Sequence, residues 1–470
     1  MSEPNSLLLR HDRGTIVVEG LEGLDESARS LALERLTPLG FVSDARIAER
    51  LRGAGRQYRL ALVALTKAGL APRDAVRNYV ELKLSPRRER TPHPHQGEAL
   101  AAWLAAGKRG VVVLPTGAGK SYVAEMAMVE AQRSTLVVAP TIDLMNQWAS
   151  SLAAAFAAEL VGTIGGGSWE PRPLTVTTYD SAHLHIERLA DRYGLVVFDE
   201  CHHLPGPAYA LAAEGLIAPF RLGLTATPER GDGGQERLDE LIGRVVYRRD
   251  IQDLRGLYLA SYETERLRVA LSPDERAAYD SARARYRGFV ERHRLAVSSP
   301  GGWSRFLMLA ARSPEGRDAF AGWREQRQIA LNCRAKLEVL ENLLGQHRLD
   351  PTIIFCGDTD SVHLISRRWL MPALTHETPG PERRRVLEDF QKGSVRALVT
   401  ARVLNEGVDL PNARVGIVLA GSATVREHVQ RLGRLLRKQG DKQARLYEVI
   451  TADTAEESVS ERRREHGAYR

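Results

Sequence analysis

The sequence predicts an α/β protein with two parallel-sheet domains, a helical insert in the second and a small α+β unit ahead of the first. Three observations predict it. Short apolar runs alternate with helical stretches from Gly110 to about Tyr247. The alternation stops near residue 272, where apolar residues thin out and arginines crowd a helical stretch. It resumes at Thr352 and runs to Ile450. Such alternation argues parallel strands with crossover helices on both faces. Ligands of such sheets sit beyond the carboxyl ends of the strands.

The elements follow in order. Residues 1–90 form the α+β unit, with a strand at Thr15–Glu19 and helical spacing over Ala45–Leu70 and Pro72–Leu82. Pro72 suits a first helical turn, where its missing N–H costs nothing. A basic, proline-bearing joint, Ser85 to Pro94, marks a domain boundary. The first sheet domain, 91–247, has strands at Val111–Leu114, Leu136–Val138, Leu174–Thr178, Leu195–Phe198 and Leu222–Thr225. The second, 248–470, has strands at Thr352–Phe355, Ala397–Thr400, Val415–Leu419 and Leu446–Ile450. Its insert, about 272–330, turns at Gly301-Gly302-Trp303. From the residues alone the insert is either an exposed amphipathic hairpin or a grip for nucleic acid. Glu461 to His466 reads as a solvated helical tail.

Composition narrows the class. The chain has 470 residues, with 66 Lys+Arg against 59 Asp+Glu, a net charge of +7 and a pI of about 9.3. This suits a polyanionic partner without demanding one. Cys201, Cys333 and Cys356 form no C-x-x-C pair, which argues against a disulfide scaffold or zinc finger and for a reducing compartment. No apolar run approaches the ~18 residues of a membrane span. The first residues lack the basic-then-apolar order of a signal peptide. A cytoplasmic location without a membrane partner is expected.

The chemistry begins at Gly110-Val-Val-Val-Leu-Pro-Thr-Gly-Ala-Gly-Lys120-Ser121. A buried strand runs into a glycine turn, a lysine, a hydroxyl and a helix. Backbone N–H groups of Thr116, Gly117, Ala118 and Gly119 can cradle nucleotide phosphates. Lys120 reaches the β and γ phosphates, and Ser121 sits on Mg²⁺. The strict pattern has glycine where this chain has Leu114. About eighty residues later, Leu195-Val-Val-Phe-Asp199-Glu200 delivers two acids at a strand end. Asp199 would hold Mg²⁺ through water opposite Ser121, and Glu200 would orient or deprotonate the attacking water. His202 and His203 diverge on extended backbone and have no partner spaced for a metal site, so they read as coupling or packing residues. The same holds for His93 and His95. Thr225 and Thr227 place two hydroxyls in a tight turn that could bond the acid-bearing loop. Near the end, Arg431, Arg434 and Arg437 recur every third residue. On a helix they share a face, either as a basic stripe or as arginine fingers for the γ-phosphate.

Together these motifs resemble a superfamily 2 helicase, and the chain is similar to the XPB family of DNA helicases and translocases in its compact prokaryotic form. The resemblance implies two RecA-like motor domains, ATP and Mg²⁺ as cofactors, and sequence-independent action on forked or duplex DNA. It also implies 3′ to 5′ polarity, a setting in nucleotide excision repair or transcription, and a nuclease partner. Gln96 occupies the adenine-contacting position, with His93 and His95 where the family favours Arg and Tyr. Pro140, Thr141, Thr178 and Tyr179 match strand-contacting motifs of the first motor domain, and Phe355 and Thr400 those of the second. Glu406, Gly407 and Asp409 match the second domain's nucleotide motif. Gln430, Arg434 and Arg437 match its catalytic helix. The insert stands where the family carries a thumb-like DNA grip, so Arg283 and Arg287 are expected on DNA. Residues 1–90 stand in place of a damage-recognition-like domain.

One departure matters. The family carries an Arg-Glu-Asp triplet at the point of strand separation, and this chain reads Arg230-Gly231-Asp232. Losing the middle acid removes a charge and adds backbone freedom. Weakened strand separation with intact ATPase is expected. Three other readings stay open: a duplex translocase that never separates strands, a motor subunit of a restriction or phage-defence system, and a DNA-binding scaffold with a vestigial motor.

Overall fold

Continuous apolar runs form the central strands because both faces of a parallel sheet are covered. The structure, a computed structural model, describes residues 7–44, 50–227, 234–254, 258, 261–299, 301–401, 413–419 and 443–457. The chain divides into two units, the first taking Met1–Asp250 and the second beginning at Ile251.

The first unit holds two sheets. β1 (Leu8–Asp12), β2 (Thr15–Glu19), β3 (Val42–Ser43), β4 (Leu51–Ala54) and β5 (Arg73–Ala75) form a small sheet in the order β3-β4-β2-β1-β5. Helices α1 (Glu26–Leu36) and α2 (Tyr58–Lys67) accompany it. Two expectations are corrected here. Residues 51–54 are strand, so the helix of Ala45–Leu70 shrinks to α2. Pro72–Leu82 is not helical: Arg73–Ala75 pairs in parallel with β1. The next residues run extended, with Ser134 N–H donating to Val80 O (2.9 Å) and Leu82 N–H to Gln132 O (2.8 Å). Tertiary pairing overrides local helical spacing.

The large sheet comprises β6 (Arg109–Val113), β7 (Thr135–Ala139), β8 (Val161–Gly165), β9 (Ser168–Trp169), β10 (Leu174–Thr178), β11 (Leu195–Asp199), β12 (Phe220–Thr225) and β13 (Val245–Arg248). Its order is β13-β6-β12-β11-β7-β10-β8-β9, parallel except for the β8–β9 hairpin. Its helices are α3 (Pro94–Ala105), α4 (Lys120–Ala131), α5 (Ile142–Ala155), α6 (Tyr179–Leu184), α7 (Ile186–Leu189), α8 (Pro207–Gly215) and α9 (Gln235–Leu241). Every residue of β7, β10 and β11 is buried. The small sheet is bolted to the edge opposite the strands' carboxyl ends. Arg59 donates to Gly107 O and Pro219 O, near the ends of α3 and α8, where unsatisfied carbonyls favour a cation. Gly55 must be glycine, because a Cβ there would meet Gly215 O at 2.0 Å.

The second unit contains α10 (Ile251–Leu254), β14 (Ser261–Val269), α11 (Pro273–Arg292), α12 (Gly302–Ala310), α13 (Pro314–Asn332) and α14 (Arg334–Gln346). It continues with β15 (Thr352–Phe355), α15 (Thr359–Trp369), β16 (Ala373–Leu374), α16 (Gly380–Lys392), β17 (Ala397–Thr400), β18 (Val415–Val418) and β19 (Gln443–Thr451). Its sheet is all parallel, in the order β14-β19-β18-β15-β17-β16. Helices α11 and α13 pack as a long hairpin, with Phe289 and Phe306 buried and Tyr286, Trp303 and Phe320 packed on them. Ser272 and Glu275 form a capping box that starts α11.

Candidate active site

The carboxyl ends of β6, β11 and β12 gather one polar cluster. Leu114 N–H donates to Thr225 O (3.0 Å), tying the glycine loop to its neighbour strand. Gly117 and Gly119 have φ of 89° and 83°, a region that favours glycine. A Cβ at Gly119 would also meet Gln96 Nε2 at 2.2 Å. Lys120 opens α4. Gln96 is buried. Its Oε1 accepts from His93 N–H (2.9 Å) and its Nε2 donates to Ala118 O (3.0 Å). His95 Nε2 lies 2.9 Å from the same carbonyl. The start of α3 is thus clamped to the loop.

Lys120 Nζ donates to Glu200 Oε1 at 2.9 Å. Glu200 follows β11 in a left-handed conformation, φ 45° and ψ 52°, a cost of about 1–2 kcal/mol for a non-glycine residue. That turn brings both acids to one edge. Asp199 Oδ2 accepts from Trp148 Nε1 (2.8 Å), Oδ1 accepts from Glu200 N–H (3.1 Å), and Tyr179 OH donates to Asp199 O (2.9 Å). The fully buried His202 places Nδ1 3.4 Å from Glu200 Oε2 and 3.0 Å from Thr225 Oγ1. Thr225 Oγ1 in turn accepts from Thr227 N–H (3.2 Å). A chain of contacts therefore runs Lys120–Glu200–His202–Thr225.

The two acids titrate apart. Burial and the Glu200 charge push Asp199 up to about 6, against the pull of Lys120. Burial would raise Glu200 too, but Lys120 and His202 outweigh it and hold that carboxyl down at about 2. Paired carboxylates with separated pKa values are a mark of acid–base sites. Asp199 and Ser121 are the residues that would hold a Mg²⁺ ion through water. A buried carboxylate with a raised pKa is relieved by a divalent cation, and Ser121 is exposed on the first turn of α4. Among the described residues, no group of three His, Cys, Asp or Glu side chains forms a direct metal cage.

The remaining site residues separate into three groups. Thr141, two residues past β7, and Thr178, the last residue of the adjacent β10, cap α5 and α6, accepting from Leu144 N–H and Ser181 N–H (3.2 Å each). Pro140 is half-buried beside Thr141. Three expected DNA contacts are corrected, because they do not reach the surface. Tyr179 is 1% exposed and holds Asp199. Phe355 is 1% exposed. Thr400 is 0% exposed and donates to Leu374 O (3.0 Å). Tyr179 opens α6 directly after β10, and Phe355 and Thr400 end the interior strands β15 and β17. On α11, Arg283 donates to Tyr279 OH (2.7 Å) and Arg287 pairs with Glu291 (3.5 Å). Arg230, Gly231, Asp232, Glu406, Gly407, Asp409, Gln430, Arg431, Arg434 and Arg437 lie outside the described residues. Trp148 escaped the sequence reading. It lies on the buried face of α5, where a tryptophan reads as core, and only the fold reveals that its N–H faces Asp199.

Site and fold together define a nucleotide-dependent motor of the RecA-like class. Residues 89–230 match the family described as type III restriction enzyme, res subunit, and residues 335–439 the helicase conserved C-terminal domain. The chain is 41% identical to the DNA 3′-5′ translocase XPB2 of Sulfurisphaera tokodaii, over 79% of this chain and 84% of that one. It is 32% identical to the DNA 3′-5′ helicase XPB of Kineococcus radiotolerans, over 79% of this chain but only 61% of that longer protein. Among solved structures, S. cerevisiae Dbp5 bound to RNA and ADP BeF3 superposes with a TM-score of 0.56 at 14% identity, over 80% of this chain and 88% of Dbp5, a likeness of fold. The chain belongs to the XPB family of superfamily 2 DNA helicases.

Proposed function

We propose that this chain is an ATP-driven motor that moves 3′ to 5′ on DNA, serves excision repair, and works with a separate nuclease. Family membership supports the motor. The observation that carries the mechanism is the contact of Lys120 with Glu200 at 2.9 Å, continued through His202 to Thr225. A γ-phosphate drawn to Lys120 competes with Glu200 for the same ammonium. Glu200 is then released to accept a proton from the attacking water. That change reaches His202 and the Thr225 turn, which begins the segment bearing Arg230-Gly231-Asp232. Hydrolysis is thereby linked to the strand-contacting part of the chain. Bound Mg²⁺ supplies charge neutralisation at the phosphates. Asp199, held by Trp148 and Tyr179, keeps its carboxylate fixed for that ion's water shell. Phosphate contacts dominate the grip on DNA, so binding is sequence-independent and salt-sensitive.

Gly231 favours a second reading, duplex translocation with weak strand separation. One experiment separates them: ATP-driven strand displacement on a 3′-tailed fork, with Lys120→Ala as control. Displacement that vanishes in the variant establishes a helicase. DNA-stimulated ATPase without displacement points to a translocase or to a helicase waiting for its partner, and in the first case restoring the acid with Gly231→Glu is expected to raise unwinding per ATP. ATPase indifferent to DNA would sink both readings.

A further inference from the structure

Asp199 is held from two directions, and each holder sits on a helix that begins at an expected strand contact. Helix α5 is capped by Thr141 and carries Trp148 on its buried face. The two positions are about two turns, or about 10 Å, apart along the axis. The Trp148 indole N–H donates to Asp199 Oδ2 at 2.8 Å, and both residues are buried. Helix α6 is capped by Thr178 and opens on Tyr179, whose hydroxyl donates to Asp199 O at 2.9 Å. Strand β7 lies between β10 and β11, so Tyr179 reaches past it to the end of β11. One helix thus fixes the carboxylate of Asp199 and the other its backbone.

The starts of the two helices also meet at one turn. After β8 the chain passes Gly165, where a Cβ would meet Ser181 Oγ of α6 at 2.9 Å and Met145 Sδ of α5 at 3.3 Å. At Gly166 a Cβ would meet Ile142 Cγ2, on the first residue of α5, at 3.4 Å. The glycine turn therefore bridges α5 and α6, and a push on one start is carried to the other. Thr178 gives its hydroxyl hydrogen to Ser181 Oγ (3.0 Å). Thr141 Oγ1 accepts from Leu144 N–H (3.2 Å) and, among the described residues, donates to no partner. Ile142 beside it is 49% exposed. The start of α5 is thus open to a phosphate oxygen, while Trp148 is buried on Asp199. An N–H···O bond of 2.8 Å leaves hydrogen-bonding range on a displacement of about 1 Å. Helix shifts of about that size are ordinary in switching proteins.

We propose that Trp148 and Tyr179 are positioning residues that report strand occupancy to the nucleotide site. A DNA phosphate drawn to Thr141 resets α5 and α6, and through them the placement of Asp199. The inference rests on the reading of the chain as an ATP-driven DNA motor and adds a second connection to it. The contact of Lys120 with Glu200 carries hydrolysis toward the strand-contacting segment. Trp148 and Tyr179 carry strand binding back to the residue that would hold magnesium. The competing account is static: both side chains fix Asp199 equally with and without DNA.

The test uses the full-length chain, magnesium with a fluorescent non-hydrolysable ATP analogue, and a 3′-tailed duplex. Affinity for the analogue is measured with and without saturating duplex, and affinity for the duplex with and without analogue. In the wild type each is expected to tighten the other by the same factor, about 5- to 150-fold. Trp148→Phe keeps an aromatic ring in the core and removes the N–H. It is expected to erase most of that factor while duplex affinity without analogue is retained. Tyr179→Phe removes the second bond from the other helix and is expected to act in the same direction, which keeps the test open if Trp148→Phe melts early. Thr141→Val is expected to remove the factor at its origin. A factor kept in both aromatic variants overturns the inference in favour of the static account, even if their affinity for the analogue falls overall. A factor kept in Thr141→Val overturns it as well, because the signal then starts elsewhere. Both results leave the motor reading intact. A wild-type chain that binds no DNA overturns both.

Discussion

Lys120 meets Glu200 at the carboxyl edge of the first parallel sheet, and Lys336 meets Glu456 at the carboxyl edge of the second. The partners are alike and the surroundings differ. Lys120 makes one contact at 2.9 Å, its side chain 10% exposed. Glu200 Oε2 has no hydrogen bond and faces His202 at 3.4 Å. Lys336 is fully buried and donates to both oxygens of Glu456 (2.8 and 2.7 Å) and to Leu419 O (2.5 Å). Glu456 Oε2 also accepts from Thr451 N–H (3.1 Å). The second pair is saturated and pins the ends of β18 and β19. The first is left short of partners at the mouth of a phosphate loop, where a phosphate can take one member. Ion pairs of one chemistry thus serve exchange or fastening according to how completely the fold satisfies them.

The largest expected effect comes from Lys120→Ala. ATP turnover falls roughly 100- to 1,000-fold or more, the scale for losing a transition-state charge clamp, while stability falls less than in Lys336→Met, because Glu200 keeps His202 beside it. Phosphate release and calorimetry check this. Lys336→Met has the opposite signature. It strands Glu456 in the interior and costs about 3–5 kcal/mol of stability, and adding Glu456→Leu recovers most of it. Urea unfolding followed by fluorescence decides, and equal stability losses for Lys120→Ala and Lys336→Met would break the comparison.

Thr225→Ala sharpens it. The variant removes the hydroxyl 3.0 Å from His202 Nδ1, at a cost of about 1 kcal/mol. The expected result is an ATPase rate down several-fold with KM for ATP retained, and translocation reduced further. Equal losses in hydrolysis and translocation would assign Thr225 to the chemistry alone. The smallest effect lies away from both pairs. His11 accepts from Gly14 N–H (2.9 Å). Burial lowers its pKa below the usual histidine value, against Asp191 and Asp12. A lowered pKa means that the unfolded chain binds the proton more tightly. The stabilisation is present above about pH 6.5 and is lost as pH falls through the lower folded-state value. His11→Gln is expected to flatten the melting temperature between pH 7.5 and 5, and an unflattened profile would assign the dependence to other groups.

Much of this was legible locally. Strands Thr15–Glu19, Leu174–Thr178, Thr352–Phe355 and Ala397–Thr400 appear at their expected bounds, because a fully apolar or alternating run followed by a breaker leaves little choice. The helix expected over Pro72–Leu82 failed because β1 and the Ser134 edge offer backbone partners that no local pattern reports. Tyr179, Phe355 and Thr400 failed as surface contacts for a related reason. Adjacency to a strand end says which edge a residue occupies and nothing about what covers it.

By itself, the order of residues determined that a phosphate loop follows a buried strand, that two acids end another, and that an arginine-rich helical insert interrupts the second sheet. These are properties of neighbours in sequence, set by side-chain periodicity and backbone sterics. Tertiary structure alone decided that Lys120 meets Glu200 across 80 residues and that Trp148 holds Asp199 across 51. It also decided that Asp318, Glu325 and Glu315 of α13 pair with Arg285 and Arg292 of α11. Charge and hydrogen-bond balance are sums over everything within a few ångströms. Those neighbours exist only once the sheets are assembled.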